Sequence, residues 1–247
     1  MNNNPWISCP KPNPKAKIKL FCFPYSGANA TIYYSWSGIL PSFIEVNPIQ
    51  IPGRGNRISE PSYRNIQDLA QAAADALNQH FDKPFAFFGH SMGALVSFEL
   101  ARVLRDTSKA DLKYLFVSGH QAPQIPDERE VFYNLPEEEF ISKLRVLNGT
   151  PEEVLQDDEL RELIIPVLRA DFEACDTYIY RSEKPLECPI CACSGLQDKY
   201  VSRDGLQAWE KQTINKFTRR LFPGDHFYIN SAHMLLLRVI AQELSEL

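Results

Sequence analysis

The stretch Phe85-Ala86-Phe87-Phe88-Gly89-His90-Ser91-Met92-Gly93-Ala94-Leu95 runs a short apolar segment into a Gly-x-Ser-x-Gly turn and then into a helical pattern. A serine protrudes from so sharp a strand-to-helix turn only if its neighbours are small, because the backbone is strained and adjoining strands pass close by. Gly89 and Gly93 meet that demand, and the chain contains no other Gly-x-Ser-x-Gly. Ser91 is therefore the expected nucleophile, standing at the carboxyl edge of a mostly parallel sheet.

The chain on either side of this turn keeps the same rhythm. Apolar runs fall at Ile18 to Phe23, Val46 to Ile51, Pro84 to Phe88, Tyr114 to Val117, Pro189 to Cys193 and Lys216 to Phe222. Helical patterns lie between or beyond them at Ala30 to Leu40, Ile66 to Phe81, Met92 to Arg105, Ser202 to Lys211 and Ile229 to Leu244. Such alternation predicts an α/β fold with crossover helices flanking the sheet. The stretch from Ala122 to Tyr180 is too long for one crossover and reads as helices, so an inserted helical lid is expected over about 123–180. Pro136 followed by three glutamates starts one helix, which Asn148-Gly149 ends. Thr150 to Glu153 reads as a capping box. A third helix begins near Asp157 or Asp158, with Pro166 expected to kink it. Residues 1–16, rich in Asn and Pro, are expected to form a flexible arm, leaving 17–247 as one domain.

Composition narrows the function classes. At 247 residues, 44% hydrophobic and 23% charged, the chain suits one globular domain rather than a disordered or multidomain protein. A net charge of −5, with no basic run longer than Arg219-Arg220, argues against a nucleic-acid or anionic-membrane platform. No signal peptide or membrane span is legible, and six cysteines are too few for a disulfide scaffold, so a cytoplasmic location is expected. Cys188, Cys191 and Cys193 lack a second ligand pair for a structural zinc, and the last two alternate with apolar residues as on a buried strand; no metal is expected. The glycines of Pro52 to Arg57 lack the phosphate-loop lysine and read as an ordinary turn.

A serine hydroxyl needs a base. Of five histidines, His90 adjoins the nucleophile and would point away from it, while His80 and His233 lie on helical patterns. His226, in the turn after the last run, projects at the carboxyl edge and is the chosen base. Its orienting acid could follow Tyr114–Val117 or Pro189–Cys193; the first loop has no carboxylate before Asp127, whereas the second reaches Asp198 through a glycine turn. Asp198 is chosen over Asp225, which as a sequence neighbour can rarely fold back onto the imidazole. The oxyanion hole is expected from the backbone N–H of Met92 and one from Phe23-Pro24-Tyr25-Ser26-Gly27-Ala28, with Ser26 the choice and Tyr25 the alternative by one residue.

Taken together, Phe23 to Gly27, Pro52 to Gly55, Gly89 to Gly93, Pro166 to Phe172, Gly195 to Asp198 and Gly224 to Phe227 resemble the type II, external editing thioesterases of nonribosomal peptide and polyketide synthesis. The resemblance runs from about Phe21 to Tyr228. It departs from the family at Ser26, usually Ala, and at Ala28, usually Gly. It implies an α/β-hydrolase fold and cofactor-free hydrolysis of acyl thioesters from the phosphopantetheine arm of carrier-protein domains; nothing in the sequence points to an obligate dimer, so a monomer is expected. Tyr25, Leu163 and Val167 are the expected acyl-pocket residues. The competing readings are a general carboxylester or acyl-CoA hydrolase and a catalytically silent binding module on the same fold.

Overall fold

The structure, a computed structural model, describes residues 4–105, 111–127 and 129–246. Six strands, β1 (Ile18–Phe23), β2 (Ile44–Pro48), β3 (Phe85–His90), β4 (Leu112–Ser118), β5 (Ile190–Gly195) and β6 (Phe217–Phe222), pair in parallel in the order β2-β1-β3-β4-β5-β6. The helices are α1 (Trp36–Ile39), α2 (Ile66–Leu77), α3 (Met92–Leu104), α4 (Glu137–Leu147), α5 (Glu152–Gln156), α6 (Asp158–Asp176), α7 (Arg203–Gln207), α8 (Tyr228–Ser231) and α9 (His233–Ser245).

Side chains alternate across a strand, and here the alternation sorts the core into two layers. Phe21, Phe23, Phe85, Phe87, Leu115, Val117, Ile190 and Ala192 pack with α2 and α3. Leu20, Cys22, Ala86, Phe88, Tyr114, Phe116, Cys191 and Cys193 face α9 and Trp36 on the other side. With both faces covered, the central strands have no polar face to show.

The strand order reverses direction at β1: the chain goes outward to β2, then returns to place β3 on the other side of β1. A crevice forms beyond the carboxyl ends at such a switch point. The loop after β1 and the Ser91 turn after β3 both open into it.

Several expectations shift in detail. The long helix at Ala30 to Leu40 is instead a 3₁₀ turn (Ala30–Tyr33) followed by the short α1, and the last helix breaks at Ala232 into α8 and α9. The second strand starts earlier and ends at Pro48. From Asn4 onward the N-terminal arm does bury apolar area, contrary to its composition: Trp6 is buried beneath the Arg57 guanidinium, Ile7 bridges Ile49, and Ser8 N–H donates to the Pro48 carbonyl at 2.9 Å. The open edge beside β2 supplies partners that a composition argument cannot see.

Between β4 and β5 the inserted helices form their own apolar cluster, including Phe132, Phe140, Leu144, Leu155, Ile165 and Leu168. Asn148 ends α4 in the left-handed conformation, its N–H shared between the Leu144 and Arg145 carbonyls. Asp157 caps α6 by accepting the Leu160 N–H at 2.9 Å. The expected capping box does not form: Pro151 occupies the cap position of α5 and no side chain caps it. A proline there presets the backbone and leaves no N–H of its own to satisfy. Pro166 lies inside α6, where it deletes one donor from the helix ladder.

Candidate active site

Ser91 sits at φ 53° and ψ −118°, one of two non-glycine residues at positive φ among the described residues. Its N–H donates to the Ser118 carbonyl at 2.8 Å, tying the turn to β4. A Cβ on Gly93 would lie 2.2 Å from the Phe23 carbonyl oxygen, and one on Gly89 2.0 Å from the Gly93 oxygen. The two glycines thus let the start of α3 press against the end of β1. That contact sets Met92, at the positive end of the helix, beside the loop carrying Ser26.

The other half of the site hangs from β5 and β6. A Cβ on Gly195 would fall 2.1 Å from the Asp225 carbonyl oxygen, so only glycine lets the two loops meet. The Gln197 N–H donates to the Gly224 carbonyl at 2.9 Å, and the Gly224 N–H returns a bond to Gln197 Oε1 at 2.8 Å. Across this join Asp198 Oδ2 stands 2.9 Å from His226 Nδ1. The Asp198 side chain is fully buried and also accepts from Ser194 Oγ at 3.1 Å and from the Tyr200 N–H at 2.9 Å. Burial alone would raise its carboxyl, but the His226 hydrogen bond and charge, helped by Tyr200 and Ser194, hold it below the ordinary carboxylate range. Asp225 points elsewhere, accepting the Phe227 N–H at 2.9 Å.

Ser91 and His226 line one cavity with Ser26, Phe172 and Tyr200. One lobe is polar, with His120, Gln121, Asp127 and Arg129. The other is apolar, with Tyr25, Leu144, Leu147, Leu168 and Phe227. His90 is wholly buried behind the site, its ring 5.0 Å from that of His226 and its Nδ1 2.8 Å from Ser118 Oγ. Burial pushes both His90 and His120 down, His120 to about 4, so both are neutral at pH 7.

Of the residues expected in the acyl pocket, Tyr25 lines the apolar lobe, packing edge-on to Phe227 with ring centroids 5.2 Å apart. Leu163 does not: its side chain is 56% exposed on the outer face of α6. Val167 is buried but lines neither lobe; Leu168 and Phe172, on the neighbouring stripe of α6, do. At about 100° per residue a one-position error turns a side chain off the pocket, and the apolar spacing of α6 leaves both stripes open. The sequence reading also missed Tyr200, edge-on to His226 at 5.6 Å, and the polar-lobe pair Asp127 and Arg129, since neither belongs to a motif. No helix among the described residues is long and apolar enough to cross a membrane.

Comparison with known proteins gives the family. A thioesterase-domain family model matches residues 18–244. The gramicidin S biosynthesis protein GrsT of Aneurinibacillus migulanus is 44% identical over 241 residues, covering 98% of this chain and 94% of that protein. The type II thioesterase BorB from the borrelidin biosynthetic cluster superposes with a TM-score of 0.90 at 36% identity, covering 99% of both chains. RedJ, a thioesterase from the prodiginine pathway of Streptomyces coelicolor, gives 0.85 at 36% identity over 92% of this chain and 86% of its own. A Ser91 turn, an Asp198–His226 pair and a cavity under inserted helices, on a chain matched almost end to end, make this protein a thioester hydrolase of the thioesterase family, built on the α/β-hydrolase fold.

Proposed function

We propose that Ser91, His226 and Asp198 act as nucleophile, base and orienting acid, and that the chain clears acyl groups from the phosphopantetheine arm of carrier proteins serving nonribosomal peptide or polyketide assembly. The observation that carries the chemistry is the Asp198–His226 bond formed beside Ser91 in a shared cavity. The likeness to BorB, a type II thioesterase from a biosynthetic cluster, supports the substrate class.

In this reading His226 Nδ1–H stays on Asp198, leaving Nε2 free to take the Ser91 proton as Oγ attacks the thioester carbonyl. Electrons pass to the carbonyl oxygen, which the Met92 and Ser26 N–H groups receive. Collapse expels the thiolate, which His226 protonates. A thiol leaves readily because its pKa is near 8.5. Water, deprotonated by His226, then cleaves the acyl-Ser91 ester and regenerates the hydroxyl. The acyl chain occupies the lobe lined by Tyr25, Leu147 and Leu168. The protein works as a cytoplasmic monomer, and the carrier docks at the lid and pocket mouth.

The test sets acyl-carrier protein, the matching acyl-CoA and an aryl ester side by side, with Ser91→Ala as control. Preference for the carrier substrate in kcat/KM, and loss of about 10⁴-fold or more in a folded Ser91→Ala, are expected. Equal turnover of all three substrates points to a general acyl hydrolase, and an active Ser91→Ala removes the mechanism.

A further inference from the structure

The glycine-rich turn Pro52 to Arg57, unassigned by the chemistry above, places Arg54 beneath the oxyanion loop. Arg54 and Asp171, on α6, are 2% and 1% exposed and form a two-pronged ion pair, Nη1 to Oδ2 and Nη2 to Oδ1, both 2.6 Å. The same Asp171 Oδ2 accepts the Gly27 N–H at 2.7 Å. Gly27 sits at φ +78°, and a Cβ there would lie 2.5 Å from Leu168 Cδ2, so the loop apex is pressed under α6. Gln50 completes the brace, donating to the Arg54 carbonyl at 2.8 Å and accepting the Ala30 N–H at 3.2 Å.

A buried ion pair is a weak source of net stability, because desolvating both charges offsets most of their attraction. What this one does supply is direction. The peptide joining Ser26 to Gly27 is held at its Gly27 nitrogen by a charge-assisted hydrogen bond, one residue from the N–H assigned to the oxyanion. We propose that Asp171, locked by Arg54, is a positioning residue that aims the Ser26 N–H, so that the oxyanion hole is complete only while the C-terminal half of α6 is seated on the Arg54 turn. This rests on the assignment of Ser91 and Ser26 above, and it ties the inserted helices to the chemical step as well as to substrate entry.

Such a residue acts on the transition state more than on substrate binding. The probes are octanoyl-N-acetylcysteamine thioester as substrate, its trifluoromethyl ketone analogue, which forms a tetrahedral oxyanion on serine, and an uncharged octyl thioether that fills the pocket without reacting. In Asp171→Asn, kcat is expected to fall about 10- to 100-fold and the ketone to weaken by the same factor, with KM and thioether affinity within about threefold. Arg54→Lys, which keeps the charge but loses the fork, should show a smaller loss of the same kind. It also serves if Asp171→Asn fails to fold. Folded variants of either type with parental kcat, or with kcat and thioether affinity falling together, overturn the positioning role. Labelling of Ser91 by a fluorophosphonate in the parent separates the two readings: labelled Ser91 with parental kcat in Asp171→Asn leaves the nucleophile standing and removes only the role of Asp171, whereas unlabelled Ser91 removes both.

Discussion

Replacing Asp198 by asparagine removes one charge and one acceptor from a carboxylate with three hydrogen-bond partners among the described residues. Oδ2 takes the His226 Nδ1–H and Ser194 Oγ, and Oδ1 takes the Tyr200 N–H, with the side chain fully out of water. An asparagine has one oxygen for these positions. If that oxygen stays on the Tyr200 N–H, its NH2 faces His226 Nδ1 and forces the tautomer that carries hydrogen on Nε2, which then cannot accept the Ser91 proton. If the oxygen turns to His226, the NH2 meets the Tyr200 N–H donor to donor, costing about 1–3 kcal/mol for a buried group left unpaired. In both orientations the imidazolium formed in the reaction loses its counter-charge. Loss of up to about 10⁴-fold in kcat, equivalent to about 5.4 kcal/mol of barrier, is expected. Asp225→Asn keeps an oxygen for the Phe227 N–H and should stay within about threefold of the parent.

Thiol release from an acyl-N-acetylcysteamine substrate, followed with a chromogenic disulfide at saturating substrate, gives kcat, and thermal melts confirm folding. The same variant carries a pH signature. Because the Asp198 carboxyl is held below its unfolded value, its contribution to stability is present above about pH 4 and is lost as pH falls through the folded value. Asp198→Asn should therefore flatten the acid limb of the stability profile. A folded Asp198→Asn retaining a tenth of parental kcat, or an Asp225→Asn that is the more damaged of the two, refutes the acid assignment.

Further outcomes follow from other parts of the molecule. Burial raises the Asp176 carboxyl to about 6, and one of its oxygens is buried without a partner among the described residues, so stability falls as pH rises from about 4 through 6. Asp176→Asn should raise the unfolding free energy at pH 7.5 by about 1–2 kcal/mol, solvent screening having reduced the ~3 kcal/mol of the full shift, and should leave it nearly unchanged at pH 4, as read by denaturant melts; an equal gain at both pH values would contradict the assignment. Leu147→Ala, in the apolar lobe, should raise KM for a long-chain thioester more than for a short activated ester, while Leu163→Ala on the exposed face should change neither. In hydrogen exchange, α4, α5 and α6 up to Pro166 should exchange faster than 167–176, which is pinned through Asp171 to Arg54 and through Glu173 to Arg64; uniform protection across α6 would deny the lid a hinge at the proline.

Much of the protein was legible in one dimension because the information is local. Gly89 and Gly93 around Ser91 announce a strained strand-to-helix turn, since no other residue tolerates the contacts with Phe23 and Gly93 carbonyls. The alternation of Ile190 and Ala192 against Cys191 and Cys193 announces a strand buried on both sides. Asp198 and His226 each close a turn at a strand end, where side chains gather at the sheet's carboxyl edge, so their meeting at 2.9 Å could be anticipated from the turns alone. What tertiary structure alone decided depends on partners far away in sequence. Composition alone predicts a loose arm around Trp6, but the edge beside β2 and the Arg57 guanidinium bury it. Apolar spacing points to Leu163 and Val167 for the pocket, and only the placement of α6 over Gly27 turns Leu168 to it instead. Arg54 read as part of an ordinary turn because its partner lies 117 residues away; charge pairing across that distance has no periodicity or spacing to betray it, and emerges only when the sheet brings its loops together.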